Sequence, residues 1–95
     1  MNNLNDRSNE VYLNHPTFGL LYRICLLRDN QELFTTLYAQ RLFFTVTAGN
    51  DAFSFEPISR SDARMLVESM MRRLLLDRKA EEHRQLKAVY QRTFL

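Results

Sequence analysis

The sequence predicts an α+β chain: a small antiparallel β-barrel followed by two C-terminal α-helices. Two observations predict it. Between Glu10 and Ile58, aromatic and β-branched residues fall in short runs separated by turn residues, the pattern of a small all-β unit. From Ser59 onward the apolar residues recur at steps of three and four, the helical period. The division is therefore a β-unit over residues 1–58, with a loose N-terminus at 1–9, and a helical segment over residues 59–95, with helices at about 60–77 and 80–93.

The β-unit is organised around Leu33-Phe34-Thr35-Thr36-Leu37-Tyr38-Ala39-Gln40-Arg41-Leu42-Phe43-Phe44-Thr45-Val46-Thr47. This run has no Gly or Pro and is too long for one ordinary strand, so it folds back on itself. The polar step Ala39-Gln40 is the natural loop. That loop pairs Tyr38 with Arg41, Leu37 with Leu42, Thr35 with Phe44 and Phe34 with Thr45. One face then carries Leu33, Leu37, Leu42, Phe44 and Val46, an apolar core face. The other carries Phe34, Tyr38, Arg41 and Phe43. A half-buried antiparallel sheet has a polar second face, whereas this one sets aromatics around an arginine, a composition enriched at interface hot spots. The competing reading is that both faces are buried by the rest of a small barrel.

The flanking runs complete the meander. Glu10-Val11-Tyr12-Leu13 reads as a short edge segment, stopped by Asn14-His15-Pro16, since Pro16 restricts His15 to extended geometry. Residues 18–27 follow as a strand, with Gly19 marking a bend or bulge. Arg28-Asp29-Asn30-Gln31 and Ala48-Gly49-Asn50-Asp51 are turns by composition. Phe53-Ser54-Phe55 alternates as a last strand, ended by Pro57.

The helical segment opens on Ser59-Arg60-Ser61-Asp62, a capping box. Ala63, Leu66, Val67, Met70, Met71, Leu74 and Leu75 then form an apolar stripe. Arg64–Glu68 and Glu68–Arg72 stand four apart, as surface pairs do. A second stripe runs through His83, Leu86, Val89, Tyr90, Thr93 and Phe94. The connection Asp77-Arg78-Lys79-Ala80 holds no Gly or Pro, so a helical hairpin and one long bent helix are both allowed. A β-unit of this size is marginal alone, and so are two short helices. The second helix is expected to be the looser part.

Composition narrows the chemistry. The chain has 95 residues, 45% hydrophobic and 25% charged, which is the size of one ordinary globular unit. Its single Cys25 excludes an intramolecular disulfide framework, fits a reducing cytoplasm and, in Ile24-Cys25-Leu26-Leu27, reads as a packing residue. Met1 to Glu10 is polar and unlike a signal peptide, and no apolar run approaches the ~20 residues of a membrane span. Charge is uneven: residues 1–58 hold four basic and six acidic side chains, residues 59–95 nine and five. The basic residues alternate with acidic ones, as on a solvated helix face. His15 and His83 lie in no metal-ligand spacing. There is no phosphate-cradling glycine loop, and no acid–base pair is assignable. The sequence reads as a non-enzyme without cofactor or metal.

Several strings carry a resemblance. They are Tyr12-Leu13-Asn14-His15-Pro16-Thr17-Phe18-Gly19-Leu20-Leu21-Tyr22, Glu32-Leu33-Phe34, Leu37-Tyr38-Ala39-Gln40-Arg41-Leu42-Phe43-Phe44, Phe55-Glu56-Pro57-Ile58, Ala63-Arg64-Met65-Leu66-Val67 and Thr93-Phe94-Leu95. In this order and spacing the chain resembles the PII-interacting protein X (PipX) family of cyanobacteria, from about Glu10 to Leu95. The resemblance implies a Tudor-like β-domain followed by C-terminal helices, without catalysis. It implies an adaptor in nitrogen signalling that is a monomer when free. At low 2-oxoglutarate and a high ADP/ATP ratio the adaptor is bound by the PII trimer, three adaptors per trimer. At high 2-oxoglutarate it binds the NtcA dimer, a CRP-family transcription factor, as a coactivator. The Tudor-like domain serves both partners, so binding is exclusive, and the helices stay free for further contacts, including a GntR-type regulator recruited through PII. Neither DNA nor a membrane is contacted directly. Position by position, the matching strings imply contacts by Glu10, Tyr12, Phe18, Leu20, Tyr22, Tyr38, Gln40, Arg41, Leu42 and Phe44. The hairpin reading reaches Tyr38 and Arg41 independently, but places Leu42 and Phe44 on the core face. The alternatives from other classes are a nucleic-acid-binding module, through the basic helical half; an aromatic cage for a methylated cation, from Tyr12, Tyr22 and Tyr38; and a small enzyme.

Overall fold

The apolar runs of the sequence become strands and helices, the long central run giving two. The computed structural model describes residues 11–38 and 42–95. Its strands are β1 (Tyr12–His15), β2 (Gly19–Arg28), β3 (Gln31–Thr36), β4 (Phe43–Ala48) and β5 (Phe53–Ile58), followed by helices α1 (Arg60–Leu76) and α2 (Ala80–Phe94). The expected loose terminus at 1–9, the loop Ala39-Gln40, and the site candidates Glu10, Gln40 and Arg41 lie outside the described residues.

The five strands form one antiparallel meander in the order β1-β2-β3-β4-β5. The sheet curls into a half-barrel, and the rings of His15 on β1 and Phe55 on β5 meet edge-to-face at 5.0 Å across its open seam. The α+β class read from the sequence holds.

Register departs from the expectation by one residue. Thr35 pairs with Phe43, Phe34 with Phe44 and Leu33 with Thr45, not Thr35 with Phe44 and Phe34 with Thr45. β3 ends at Thr36, and the longer connection is tied at its base, where the Thr36 N–H and the Thr35 hydroxyl both donate to the Leu42 carbonyl. A one-residue slip exchanges the faces of one strand relative to the other. Phe34 therefore shares a face with Phe44, while Leu33 shares the opposite face with Thr45 and, through Thr35, with Phe43.

Both faces are cores. On the concave side Leu21, Phe34, Phe44 and Val46 pack with Val11, Leu13 and Phe55. On the convex side Ile24, Leu33 and Phe43 pack with Ala63 and Val67 of α1 and Leu86 and Phe94 of α2. Ala63 and Val67, one turn apart, are small enough for α1 to lie close to the sheet, and both are fully buried. Phe94 stacks on Phe43 at 5.5 Å between ring centres.

Strand limits differ in two places. β1 continues through Asn14 and His15, which pair with Leu20 and Gly19. The stop is displaced because the turn occupies only Pro16–Phe18, with Gly19 at φ +79°, the left-handed region that glycine enters freely. β5 runs through Pro57, which pairs with Phe44. An edge strand tolerates the missing N–H. The irregularities of β2 fall between Arg23 and Cys25 and between Leu26 and Arg28, not at Gly19.

The helices follow the periodicity. Ser59 caps α1 by accepting from the Asp62 N–H at 3.0 Å. Asp77-Arg78-Lys79 resolves the open choice in favour of a hairpin. The Arg78 N–H donates to the Leu75 carbonyl and the Lys79 N–H to the Leu74 carbonyl, a Schellman closure, with Arg78 at φ +59° where glycine is the usual occupant. The two helices are joined through Glu68, whose carboxylate accepts from both Arg64 and the Tyr90 hydroxyl. At the far end of α2, Arg60 donates to the Thr93 carbonyl and lies 5.3 Å from the centre of the Phe94 ring.

Candidate functional site

With both faces of the sheet occupied, exposed apolar side chains such as Leu76 and Phe53 stand on the helices and at one end of it, and one group, Phe18, Tyr38 and Leu42, stands at the opposite end. The β1–β2 turn and the β3–β4 connection lie side by side at that end, joined by the Leu37 N–H donating to the Leu20 carbonyl. Tyr38 stands out of the connection at 88% exposure. Leu42, at its far end, is 44% exposed, and Phe18, in the β1–β2 turn, 43%. Phe44 is on the concave face and only 3% exposed, with its ring 5.3 Å from Phe18. It supports Phe18 from beneath. Leu42, which the expected register assigned to the core face, is exposed because it lies outside the ladder, before β4 begins.

Tyr12 and Tyr22 form a second group. They pair across β1 and β2 with ring centres 5.7 Å apart, on the convex face, and Arg92 of α2 reaches the Tyr22 hydroxyl at 3.4 Å. The structure thus brings Phe18, Leu20, Tyr38, Leu42 and Phe44 to one end of the sheet. Tyr12 and Tyr22 lie further along the flank.

The β1–β2 turn is built on a residue that sequence reasoning passed over. His15 Nδ1 accepts from the backbone N–H groups of Thr17, at 3.0 Å, and Phe18, at 3.2 Å. Its ring lies 4.9 Å from Phe18 and 6.0 Å from Phe44. The signal was present in His15-Pro16-Thr17-Phe18-Gly19. An acceptor two residues ahead of a short polar-to-glycine turn acts as Asx side chains do.

A groove of about 740 Å³ runs between β2 and the helices, with Ile24, Leu74, Leu86 and Val89 among its lining. Its three arginines are engaged within the chain. Arg84 is held by Glu81, Arg92 by Tyr22, and Arg23 by Glu32 at 2.7 Å. Burial pushes the Cys25 thiol up to about 12, against a smaller opposing pull from Arg23, so this sulfur is a poor nucleophile at neutral pH. Among the described residues, no three His, Cys, Asp or Glu side chains converge on a metal-sized site. No helix of the described residues is long and apolar enough to cross a membrane.

A family model described as PipX, PII-interacting protein X, matches residues 9–94. The chain belongs to the PII-interacting protein X family. It is therefore a PII-interacting signalling adaptor. A search of curated proteins finds no match.

Proposed function

We propose that the chain is a non-enzymatic, cytoplasmic adaptor that passes between two partners by one surface of its β-unit. At low 2-oxoglutarate it is held by the PII trimer, three adaptors per trimer. At high 2-oxoglutarate it is released to the NtcA dimer and acts as its coactivator. It is monomeric when free and contacts DNA only through NtcA. In the PII complex the helical hairpin faces outward and is open to a GntR-type regulator. The observation that carries the reading is the nearly full exposure of Tyr38, with Leu42 and Phe18 exposed at the same end of the sheet. A large aromatic left in water beside other apolar groups is the kind of residue that anchors an interface. Leu20 lies at the same end, Tyr12 and Tyr22 extend the surface along the flank, and Gln40, Arg41 and Glu10 are assigned to it from their place in the sequence. Exclusivity needs no conformational change in the adaptor. If both partners require the same side chains, occupancy follows relative affinity, and each 1.4 kcal/mol of difference that a metabolite imposes is about tenfold in occupancy.

The test is a pull-down of the purified chain with purified PII and purified NtcA, with and without ADP, ATP and 2-oxoglutarate. The expected outcome is retention by PII with ADP, release by ATP and 2-oxoglutarate together, and capture of the released chain by NtcA. Simultaneous retention by both partners overturns the shared surface.

A further inference from the structure

The β1–β2 turn places Phe18 on the proposed partner surface, and its geometry depends on one unprotonated nitrogen. His15 Nδ1 accepts two backbone N–H groups, those of Thr17 and Phe18. An imidazole nitrogen accepts only while it carries no proton. The same ring closes the seam of the half-barrel, edge-to-face against Phe55 of β5 and within 6.0 Å of Phe44 of β4. His15 therefore ties three things together: the turn, the exposed Phe18 ring and the two edges of the sheet.

We propose that His15 is a positioning residue that holds Phe18 in the partner-binding surface only while its Nδ1 is unprotonated, so that docking on PII weakens as pH falls. This rests on the reading under Proposed function and adds to it a proton-sensitive control of that surface.

The surroundings decide the direction. The rings packed on His15 are Phe18, Phe44 and Phe55. The turn residues Pro16 and Thr17 carry no charge, and neither does any residue of β4. The one charged residue of β5, Glu56, alternates to the opposite face from Phe55. There it lines a groove with Arg28 and Arg73. No carboxylate of these elements faces the imidazole to welcome a second proton. Protonated Nδ1 sets a third N–H against the two of Thr17 and Phe18. The phenyl faces attract a cation weakly, but they supply no hydrogen-bond acceptor for it. The turn must then open or rotate, and Phe18 moves with it.

The experiment has two arms. In the first, nitrogen-15 NMR of the free full-length chain at about pH 8 reads the imidazole tautomer. The expected result is an Nε2–H tautomer with Thr17 and Phe18 amides protected from exchange, protection that is lost as His15 titrates. A proton on Nδ1 at that pH overturns the proposal. In the second, PII affinity is measured between about pH 8 and pH 5.5 for the wild type and for His15→Asn, whose amide oxygen accepts in the same turn without titrating. Wild-type affinity should fall about tenfold more than that of His15→Asn over this range, the scale of one ordinary hydrogen bond. Because Asn lacks the ring packed on Phe44 and Phe55, each protein is compared with its own affinity at the upper pH. Parallel losses in the two proteins overturn the coupling. If PII fails to bind at every pH while the tautomer is as expected, the proposal falls with the partner reading, and the intact turn shows which of the two failed.

Discussion

Phe94→Ala asks whether α2 is part of the folding unit. Phe94 is the last helical residue of α2 and is 5% exposed. It stacks on Phe43 at 5.5 Å, touches Tyr90 at 5.6 Å and lies under the Arg60 guanidinium. Truncating a buried Phe to Ala costs ~3–5 kcal/mol, and the lower end applies where the surroundings can collapse. Here the site adjoins the chain end, where collapse is easy. The lost aromatic pairing adds ~0.5–1.5 kcal/mol back. The expectation is therefore a loss of about 3–4 kcal/mol, a large part of the ~5–15 kcal/mol that holds a domain together. For a chain of this length each kcal/mol shifts Tm by ~4–8 °C, so Tm should fall by more than about 12 °C. Thermal unfolding followed by circular dichroism measures it. Hydrogen exchange then reports where the loss lies. Residues 83–94 are expected to be less protected than residues 42–46 in the wild type, and the variant should widen that gap. A Tm drop below about 4 °C would mean that α2 contributes under 1 kcal/mol to the cooperative unit. The convex core would then be closed by α1 alone, and the reasoning above would be wrong.

Two further predictions follow from the helix hairpin. Arg78 holds a left-handed conformation that costs a side chain with Cβ ~1–2 kcal/mol, partly offset in glycine by the entropy of its unfolded chain. Arg78→Gly should therefore leave Tm unchanged or raise it by a few degrees, whereas Arg78→Val should lower it; a clear loss with glycine would refute the strain. The second concerns acid. The Tyr90 hydroxyl, then Arg64, hold the Glu68 carboxyl below the usual carboxylate range. A depressed folded-state value means that the contact stabilises above the ordinary carboxylate range and fades as pH falls through the folded value. The Tm difference between wild type and Glu68→Gln should accordingly be largest near neutrality and shrink in acid. A difference that is constant with pH would show that the carboxylate charge plays no part.

What the sequence made legible was what local chemistry determines. Ser59 with Asp62 marked the start of α1, and the Ala63–Val67 step marked its buried face, because capping and period are short-range. The hairpin at residues 33–47 was legible as a hairpin and not as a register. Leu33 beside Phe34, and Phe43 beside Phe44, place large apolar residues on both faces, so period two had no polar side against which to set the phase. The Arg78 turn was unreadable for a related reason. Its left-handed residue is not Gly, and the closure comes from the backbone N–H groups of Arg78 and Lys79. His15 was missed because its role comes from a ring nitrogen reaching its own backbone, and Pro16 drew attention to chain direction instead. Tyr38 was singled out by the aromatics and arginine of the hairpin's second face, and its side chain is exposed. Phe44, a contact by resemblance but a core-face residue by the hairpin reading, is buried on the concave face beneath Phe18.

The two-sided burial of the sheet separates stability from recognition. A sheet with one solvated face can carry an interface on that face. Here Phe34 fills the concave core and Phe43 the convex one, both essentially inaccessible, so neither face of β3–β4 is available to a partner. On the proposed function, recognition is left to the loop end, where Tyr38 and Leu42 stand exposed. Substitutions should then fall into two classes. Phe34→Ala should cost ~3–5 kcal/mol of folding, and its remaining folded molecules, held well below their Tm, should bind PII with near wild-type affinity. Tyr38→Ala, at 88% exposure, should change folding by less than ~0.5 kcal/mol. It should weaken both PII and NtcA by ~2 kcal/mol or more, about 30-fold in Kd. Titration calorimetry with each partner and a melting curve for each variant separate the two. Unfolding of Tyr38→Ala would make the residue part of a core. Full binding of one partner by Tyr38→Ala would confine the shared surface to the other side chains of the loop end, and exclusivity would then have to come from steric overlap of the two partners around the β3–β4 connection.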